Sequence, residues 1–352
     1  MPSDSLVPGE SVVPGDSARH AADMGPAPHT LRDFAGNTRQ DRTPYPLIDP
    51  LTPGDSAIAL FAPAGIGEVT PGADLVVLIA DAVSADGHGP LRPGDIIVVT
   101  SKIISKVEDR YADAADREAA ITAESTRTVA QRGPMRIVRT RTGLTIAAAG
   151  VDNSNVEPGR ILLLPLDPDA SAERLAAGLS QAVGGDVGVI VSDTAGRPWR
   201  LGQTDHAIGA ARVRVLESYA GRTDPYGNEL AVTTIALADE LAAAADLVKR
   251  KLAGRPVAVI RGLGELVGPQ PETATGGSAI VRNGPGDLFD YGSREAVLAT
   301  LCRVLGVPEA YEDLVGAEPQ TAIIELLQTG MLPVDPADLI RALLDDPRTP
   351  QA

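Results

Sequence analysis

Two aspartates, Asp152 and Asp193, each follow an apolar run, "IAAAGV" and "VGVIVS". If those runs are strands, both carboxylates lie at strand ends, where ligand sites collect in sheet proteins with helices on their faces. Two carboxylates brought together repel unless a cation or proton lies between them, and hard oxygen donors suit Mg2+ or Mn2+. Turn chemistry is the plain alternative: Asp193 caps a turn, and Asp152 closes an Asx-turn with Ser154 or Asn155. Beyond another apolar run, "TSKIISK" offers Ser101, Lys102, Ser105 and Lys106. Hydroxyl and ammonium groups there suit phosphate oxygens, although lysines in a turn are more often simply solvated. Finally, "VSDTAGRPWRLGQTDHAIG" crowds Asp193, Thr194, Arg197, Trp199, Arg200, Asp205 and His206 into what reads as one turn. Arg197 and Arg200 can clamp a carboxylate or phosphate, or pair with Asp193 and Asp205. Trp199, the only tryptophan of the chain, can face a ring ligand or anchor the core.

These groups need elements to hold them. "SAIALF" predicts a short strand, and a helix opens after Pro71-Gly72 with Asp74 near its start. "DIIVVT" predicts an apolar strand that runs into a polar, lysine-bearing turn. "ITAESTRTVAQRG" has helical spacing and closes on Gly133, and "RIVRTRTGLTIAAAG" predicts a hairpin around Thr142-Gly143. "SAERLAAGLSQAV" predicts a helix, "DVGVIVSD" a buried strand, and "TIALADELAAAADLVKRKLAG" a long helix stopped by Gly254. "RPVAVIRGL" predicts a last strand. Helices and strands alternate without a strict βαβ rhythm, so an α/β fold with a mixed sheet is expected. Neither nucleotide motif is met: no Gly-rich loop closes on Lys-Ser/Thr, and in "RGLGELVG" the glycines are misspaced for a dinucleotide fingerprint. The expected fold is therefore neither P-loop nor Rossmann.

Residues 1–55, rich in Pro, Gly, Asp and Ser, predict a disordered extension; 56–292 form the main domain, and 293–352 a helical extension. The net charge of −16 argues against a nucleic-acid partner. One cysteine, Cys302, excludes an internal disulfide, and four scattered histidines do not suggest a His-rich metal centre. No apolar run approaches the roughly 20 residues that span a bilayer, and the first residues lack a signal-peptide pattern. A cytoplasmic protein without a membrane partner is expected.

Five blocks in register, "TSKIISK", "RTRTGLTIAAAGVDNSN", "VSDTAGRPWRLGQTDHAIG", "DPYGNELAVTTIALADELAAAADLVK" and "PVAVIRG", resemble the coenzyme F420-0:L-glutamate ligases, or gamma-glutamyl ligases. The resemblance covers about residues 58–292. It implies that family's fold, a homodimer, and GTP-dependent addition of L-glutamate to coenzyme F420-0 through an acyl phosphate, with further γ-linked glutamates. It also implies two divalent cations, Mg2+ or Mn2+, and K+. By matching position, Asp152 and Asp193 look like ligands of the first divalent cation and Thr194 of the second. Ile66, Gly67, Glu68 and Val69 look like the nucleotide loop, and Ser101, Lys106 and Asn155 like further GTP contacts. Asp193 and Arg197 are the expected catalytic residues. Three departures stand out. Leu201 replaces an amide, Lys249-Arg250-Lys251 replaces a loop that normally carries Gly then Gln or Lys, and about 60 residues follow the ligase region. That is too few for the flavin-binding reductase domain of actinobacterial relatives, so no FMN is expected. Two other classes use the same residues: a non-catalytic binder of deazaflavin or GTP, and a metal-dependent phosphatase.

Overall fold

The computed structural model describes residues 57–270, 275–282, 287 and 289–316. The expected disordered extension, 1–55, and the end of the expected helical extension, 317–352, lie outside the described residues.

A five-stranded sheet organises the molecule. Its strands are β1 (Ala59–Phe61), β2 (Ile96–Thr100), β8 (Gly188–Arg197), β9 (Arg200–Ala211) and β14 (Val257–Arg261), in the order β1-β14-β2-β8-β9. Only β2 and β8 run parallel; the other three pairings are antiparallel, so the sheet is mixed as expected. Alternation along the strands builds two cores, since successive side chains point to opposite faces. Ile97, Val99, Val189, Val191, Val257 and Val259 meet α1 (Leu75–Ala85) and α4 (Pro168–Val183) on one face. Ile96, Val98, Ile190, Ala258 and Ile260 meet α5 (Leu237–Lys249) on the other. Asp74 caps α1 by accepting from the amides of Val76 and Val77 at 3.0 and 3.2 Å. Its buried residues Leu75, Ile79, Ala82 and Val83 form one helical stripe.

Helix α4 lies so close to β9 that only glycine fits at 209. A Cβ there would meet the Pro168 carbonyl carbon and oxygen at 2.5 Å. Gly209→Ala should therefore cost about 1–3 kcal/mol, read as a lowered thermal midpoint; an unchanged midpoint would refute the close approach.

Three sequence expectations are corrected. The lysine-bearing turn after β2 is a helix, α2 (Ser101–Val107), because Ile103 and Ile104 bury against the core. The helix ending at Gly133 stops at Glu124: α3 (Arg117–Glu124) follows the short strand β3 (Tyr111–Asp113), and β4 (Ser125–Arg132) continues it. Strand β4, which carries the β-branched residues Thr126, Thr128 and Val129, pairs with β5 (Met135–Thr140), which pairs in turn with β6 (Thr145–Ala147). Gly133, at φ 54°, serves the β4–β5 turn instead of a helix end. The crowded polar turn is a long hairpin, β8–β9, whose bend holds Trp199 at φ 57°. Strand β7 (Arg160–Leu162) pairs with β3. The four two-residue strands β10 (Glu217–Ser218), β11 (Arg222–Thr223), β12 (Glu229–Leu230) and β13 (Thr234–Ile235) form two small ribbons between β9 and α5.

The expected helical character after Ser293 is present in α6 (Ser293–Val304) and α7 (Tyr311–Leu314). These helices cover the edge of β4. Glu295 and Glu312 accept from the amides of Gln131 and Thr128 at 3.2 and 3.1 Å, and the Tyr311 hydroxyl donates to the Thr128 carbonyl at 3.0 Å. The "RGLGELVG" stretch is a loop with a single 3-10 turn, as its misspaced glycines imply.

Candidate active site

Because β2 and β8 are parallel neighbours in register, Thr100 against Ser192, their carboxyl ends open at one place. The next residues along each chain are Ser101 and Lys102 from α2 and Asp193 and Thr194 from β8. Ser101 Oγ donates to Asp193 Oδ1 at 2.7 Å. A β-bulge at Ile208, just before this point, shifts the register of β9 so that Thr194 faces Asp205.

Asp152 comes from elsewhere. It is held by a two-residue bridge to Leu162 of β7 and closes an Asx-turn, accepting from the Ser154 amide and hydroxyl at 2.8 Å each. It is not at the end of a regular strand, and its ordinary turn role and its site role coexist. Lys102 Nζ is ion-paired with Asp152. Burial pushes the Asp152 carboxyl up, but the Lys102 ammonium and the Ser154 bonds outweigh it and hold it at about 2. Asp193 goes the other way. Burial raises it, and the nearby Asp205 and Asp152 carboxylates add to the rise against the pull of Ser101 and Lys102. Asp205 is also pushed up by burial, yet the Lys249 ammonium and bonds from Lys249, Thr194 and Ser192 leave it below the usual range.

Lys102, Asp193, Thr194 and Asp205 line a pocket of about 390 Å³; Asp152 does not line it and reaches it only through its ion pair with Lys102. Ile66, Gly67, Glu68 and Val69 line it together with Lys106 and Asn155, and so do Asp193 and Thr194. Lys106, a buried side chain, is ion-paired with the exposed Glu68, which ties the loop to α2. Asn155 takes the left-handed φ of 58° in the turn that follows Asp152. Ser101, expected as a nucleotide contact, is buried and does not line the pocket; its hydroxyl is bonded to Asp193. From the α5 side come Lys249, Arg250, Lys251 and Arg255, so cationic side chains outnumber the carboxylates of Glu68, Asp193, Asp205 and Asp246. A basic pocket inside an acidic protein selects a polyanion. Its size falls in the range of small-molecule sites.

Arg197 does not line this pocket. Its Nη2 donates to the Leu201 carbonyl at 3.2 Å within the hairpin. Trp199 is 83% exposed and, among the described residues, meets the Phe289 ring edge-on, so it is no core anchor. The expected pairing of Arg197 or Arg200 with Asp193 or Asp205 does not occur among the described residues; Asp205 pairs with Lys249 instead.

No group of three or more His, Cys, Asp or Glu stands ready to hold a metal among the described residues. That donor set still fits Mg2+ or Mn2+, ions commonly held by one or two carboxylates, with substrate phosphates and water as the remaining ligands. Asp193 supplies the chief argument: a carboxylate raised by burial and by two carboxylate neighbours is relieved by a cation.

Sequence reasoning missed the roles of Lys102, Asp205 and Lys249. For Lys249 a signal existed, since it prolongs the buried stripe Ala238, Leu241, Ala242 and Ala245 of α5.

Fold and site together define a mixed α/β protein that gathers cationic side chains and carboxylates at strand ends around one pocket. The family model for F420-0:gamma-glutamyl ligase matches residues 65–262, over half of the chain, and the chain belongs to that family. It is 38% identical over 245 residues to the coenzyme F420:L-glutamate ligase of Methanopyrus kandleri, covering 63% of this chain and 93% of that protein. The enzyme of the same name from Methanothermobacter thermautotrophicus is 37% identical over 225 residues, 58% of this chain and 89% of the relative. That from Archaeoglobus fulgidus is 36% identical over 225 residues, 58% and 88% respectively. No described helix is long and apolar enough to cross a membrane.

Proposed function

We propose that the protein is a GTP-dependent ligase that joins L-glutamate to coenzyme F420-0, and then adds further γ-linked glutamates. One observation carries this reading. The loop Ile66–Val69, Lys106 and Asn155 line the same pocket as Asp193 and Thr194, in a chain of this family. On this reading most of the nucleotide contacts and two of the three cation ligands, Asp193 and Thr194, border one cavity, while Ser101 and Asp152 stand behind it on Asp193 and Lys102.

In the proposed reaction the terminal carboxylate of the precursor attacks the γ-phosphorus of GTP, and the bond to GDP breaks. The glutamate amine then attacks the acyl carbon of the acyl phosphate. A C–N bond forms, phosphate leaves with the C–O electron pair, and the amine gives up a proton to solvent. Lys106 is assigned to the phosphates as a point charge, with Lys251 and Arg255 as further cations of the same lining. Asp152, Asp193 and Thr194 would hold two divalent cations, with K+ as a further ion of the reading. When bound, those cations neutralise the phosphate oxygens and the carboxylate that must meet them. Ser101 fixes the rotamer of Asp193 through its 2.7 Å bond. Arg197, on the hairpin, has no part in this assignment.

GDP and amide should form in equal amounts, and only with GTP, L-glutamate and coenzyme F420-0 all present. Sustained phosphate release without glutamate would favour a phosphatase, and binding without turnover a mere receptor.

Two further outcomes follow from the geometry. A charge-assisted contact of Lys106 with phosphate is worth roughly 1.5–3 kcal/mol, so Lys106→Ala should weaken GTP binding about 10- to 100-fold. Affinity for the precursor, read by deazaflavin fluorescence, should change little. If precursor binding is lost instead, the two substrates occupy the opposite ends of the pocket. The hairpin tip presents Trp199 and Leu201, 83% and 98% exposed, which supports a homodimer through this face. Light scattering should then show a dimer that Leu201→Asp converts to monomer; a monomeric parent protein would sink the assignment.

A further inference from the structure

The buried stripe of α5 ends on an ammonium. Lys249 Nζ donates to Asp205 Oδ2 at 2.7 Å and to Ser192 Oγ at 2.8 Å, and both Lys249 and Asp205 are buried. Ser192 Oγ donates to the same Asp205 oxygen at 2.8 Å. The other oxygen, Oδ1, receives Thr194 Oγ1 at 2.7 Å. A threonine hydroxyl has one hydrogen and two lone pairs. With its hydrogen spent on Asp205, Thr194 can act toward the pocket only as an acceptor. Asp205 itself lines that pocket, beside Asp193 and Asp246. A third free carboxylate there would compete to become a cation ligand. The Lys249 ammonium, which also borders the pocket, holds its Oδ2 oxygen.

We propose that Lys249 is a positioning residue: it reserves Asp205 as the hydrogen acceptor for Thr194 and keeps that carboxylate from turning into the pocket as an extra cation ligand. The inference rests on reading the pocket as the cation-and-phosphate site of a ligase. Without the ammonium, Asp205 gains by turning to any cation in the pocket. Cation binding then tightens while Thr194 loses its fixed orientation, so affinity and turnover move in opposite directions. A residue needed only for stability would move them together.

The test is Mn2+ binding to the nucleotide-free full chain, followed by electron paramagnetic resonance of free Mn2+, alongside ligase turnover. Lys249→Met should bind Mn2+ about tenfold more tightly, a change of about 1.4 kcal/mol. Its kcat should fall about 10-fold or more, with little change in KM for GTP. In the Asp205→Asn background, Lys249→Met should tighten Mn2+ by clearly less than tenfold, since only the repulsion by the ammonium is then lost, and should leave turnover unchanged, because the carboxylate it restrains is gone. If Lys249→Met alone does not fold, Lys249→Gln, which removes the charge and keeps the length of the side chain, carries the same expectation of tighter Mn2+ binding and lower kcat. Unchanged or weaker Mn2+ binding in Lys249→Met, or a further loss of turnover in the Asp205→Asn background, would overturn the proposal. Absence of ligation by the parent protein would instead defeat the ligase reading, and the Mn2+ arm would still decide the role of Lys249.

Discussion

Asp193→Asn should abolish ligation and leave the protein folded. The asparagine keeps an oxygen for the Ser101 hydroxyl, which now donates to Asp193 at 2.7 Å, so local geometry survives. What disappears is the charge. A cation that loses an anionic ligand loses several kcal/mol of charge stabilisation, hence about three orders of magnitude or more in rate. Stability should move the other way. Burial and the Asp152 and Asp205 carboxylates raise the Asp193 carboxyl above its ordinary value, so its charged form is disfavoured in the folded protein at neutral pH. The neutral amide removes that penalty, and the metal-free thermal midpoint should hold or rise. Near-normal turnover in millimolar Mg2+ would refute the assignment, as would a lower midpoint without metal.

The second large effect concerns stability. Asp205 and Lys249 form an ion pair at 2.7 Å with side chains 4% and 6% exposed. Asp205→Ala strands a buried ammonium, and breaking such a pair from one side costs about 3–5 kcal/mol. Urea midpoints should drop accordingly. Replacing both partners, Asp205→Ala with Lys249→Met, should recover much of the loss, since well-packed apolar residues are often as stable as a buried pair. If the double variant is no more stable than Asp205→Ala, the penalty is lost packing and not an uncompensated charge.

Local pattern carried a large share of the fold. Strand β2 and strand β14 are short apolar runs between turn residues, and α1 announces itself by Asp74 and its stripe. These features depend on neighbours along the chain, so periodicity and capping suffice to read them. The helix expected through Gly133 failed where partners lay far off in sequence. Ser125 to Arg132 has spacing compatible with either state, and pairing with Met135–Thr140 decides for strand. The same holds for the polar crowd after Val191. As a linear string it resembles one turn, whereas as β8–β9 it spreads Asp193 and Thr194 along one strand and Asp205 along the other.

Residue types by themselves suggested that Asp152 and Asp193 suit a hard cation and that Ser101 and Lys106 suit phosphate, with an ordinary turn reading open beside each; Thr194 as an ion ligand and the nucleotide roles of Ser101 and Lys106 came only from the resemblance. Five blocks in register determined its family. Tertiary structure decided which of those groups meet. The parallel pairing of β2 with β8 brings Ser101 onto Asp193, and the bridge at Leu162 holds Asp152 where Lys102 reaches it. It also excluded Arg197 from the pocket and recruited Lys249, 44 residues beyond its partner Asp205. Spacing along the chain reports only neighbours within a helix turn or a strand. Contacts across a sheet and onto the helix behind it come from strand order and register, which a linear pattern does not encode.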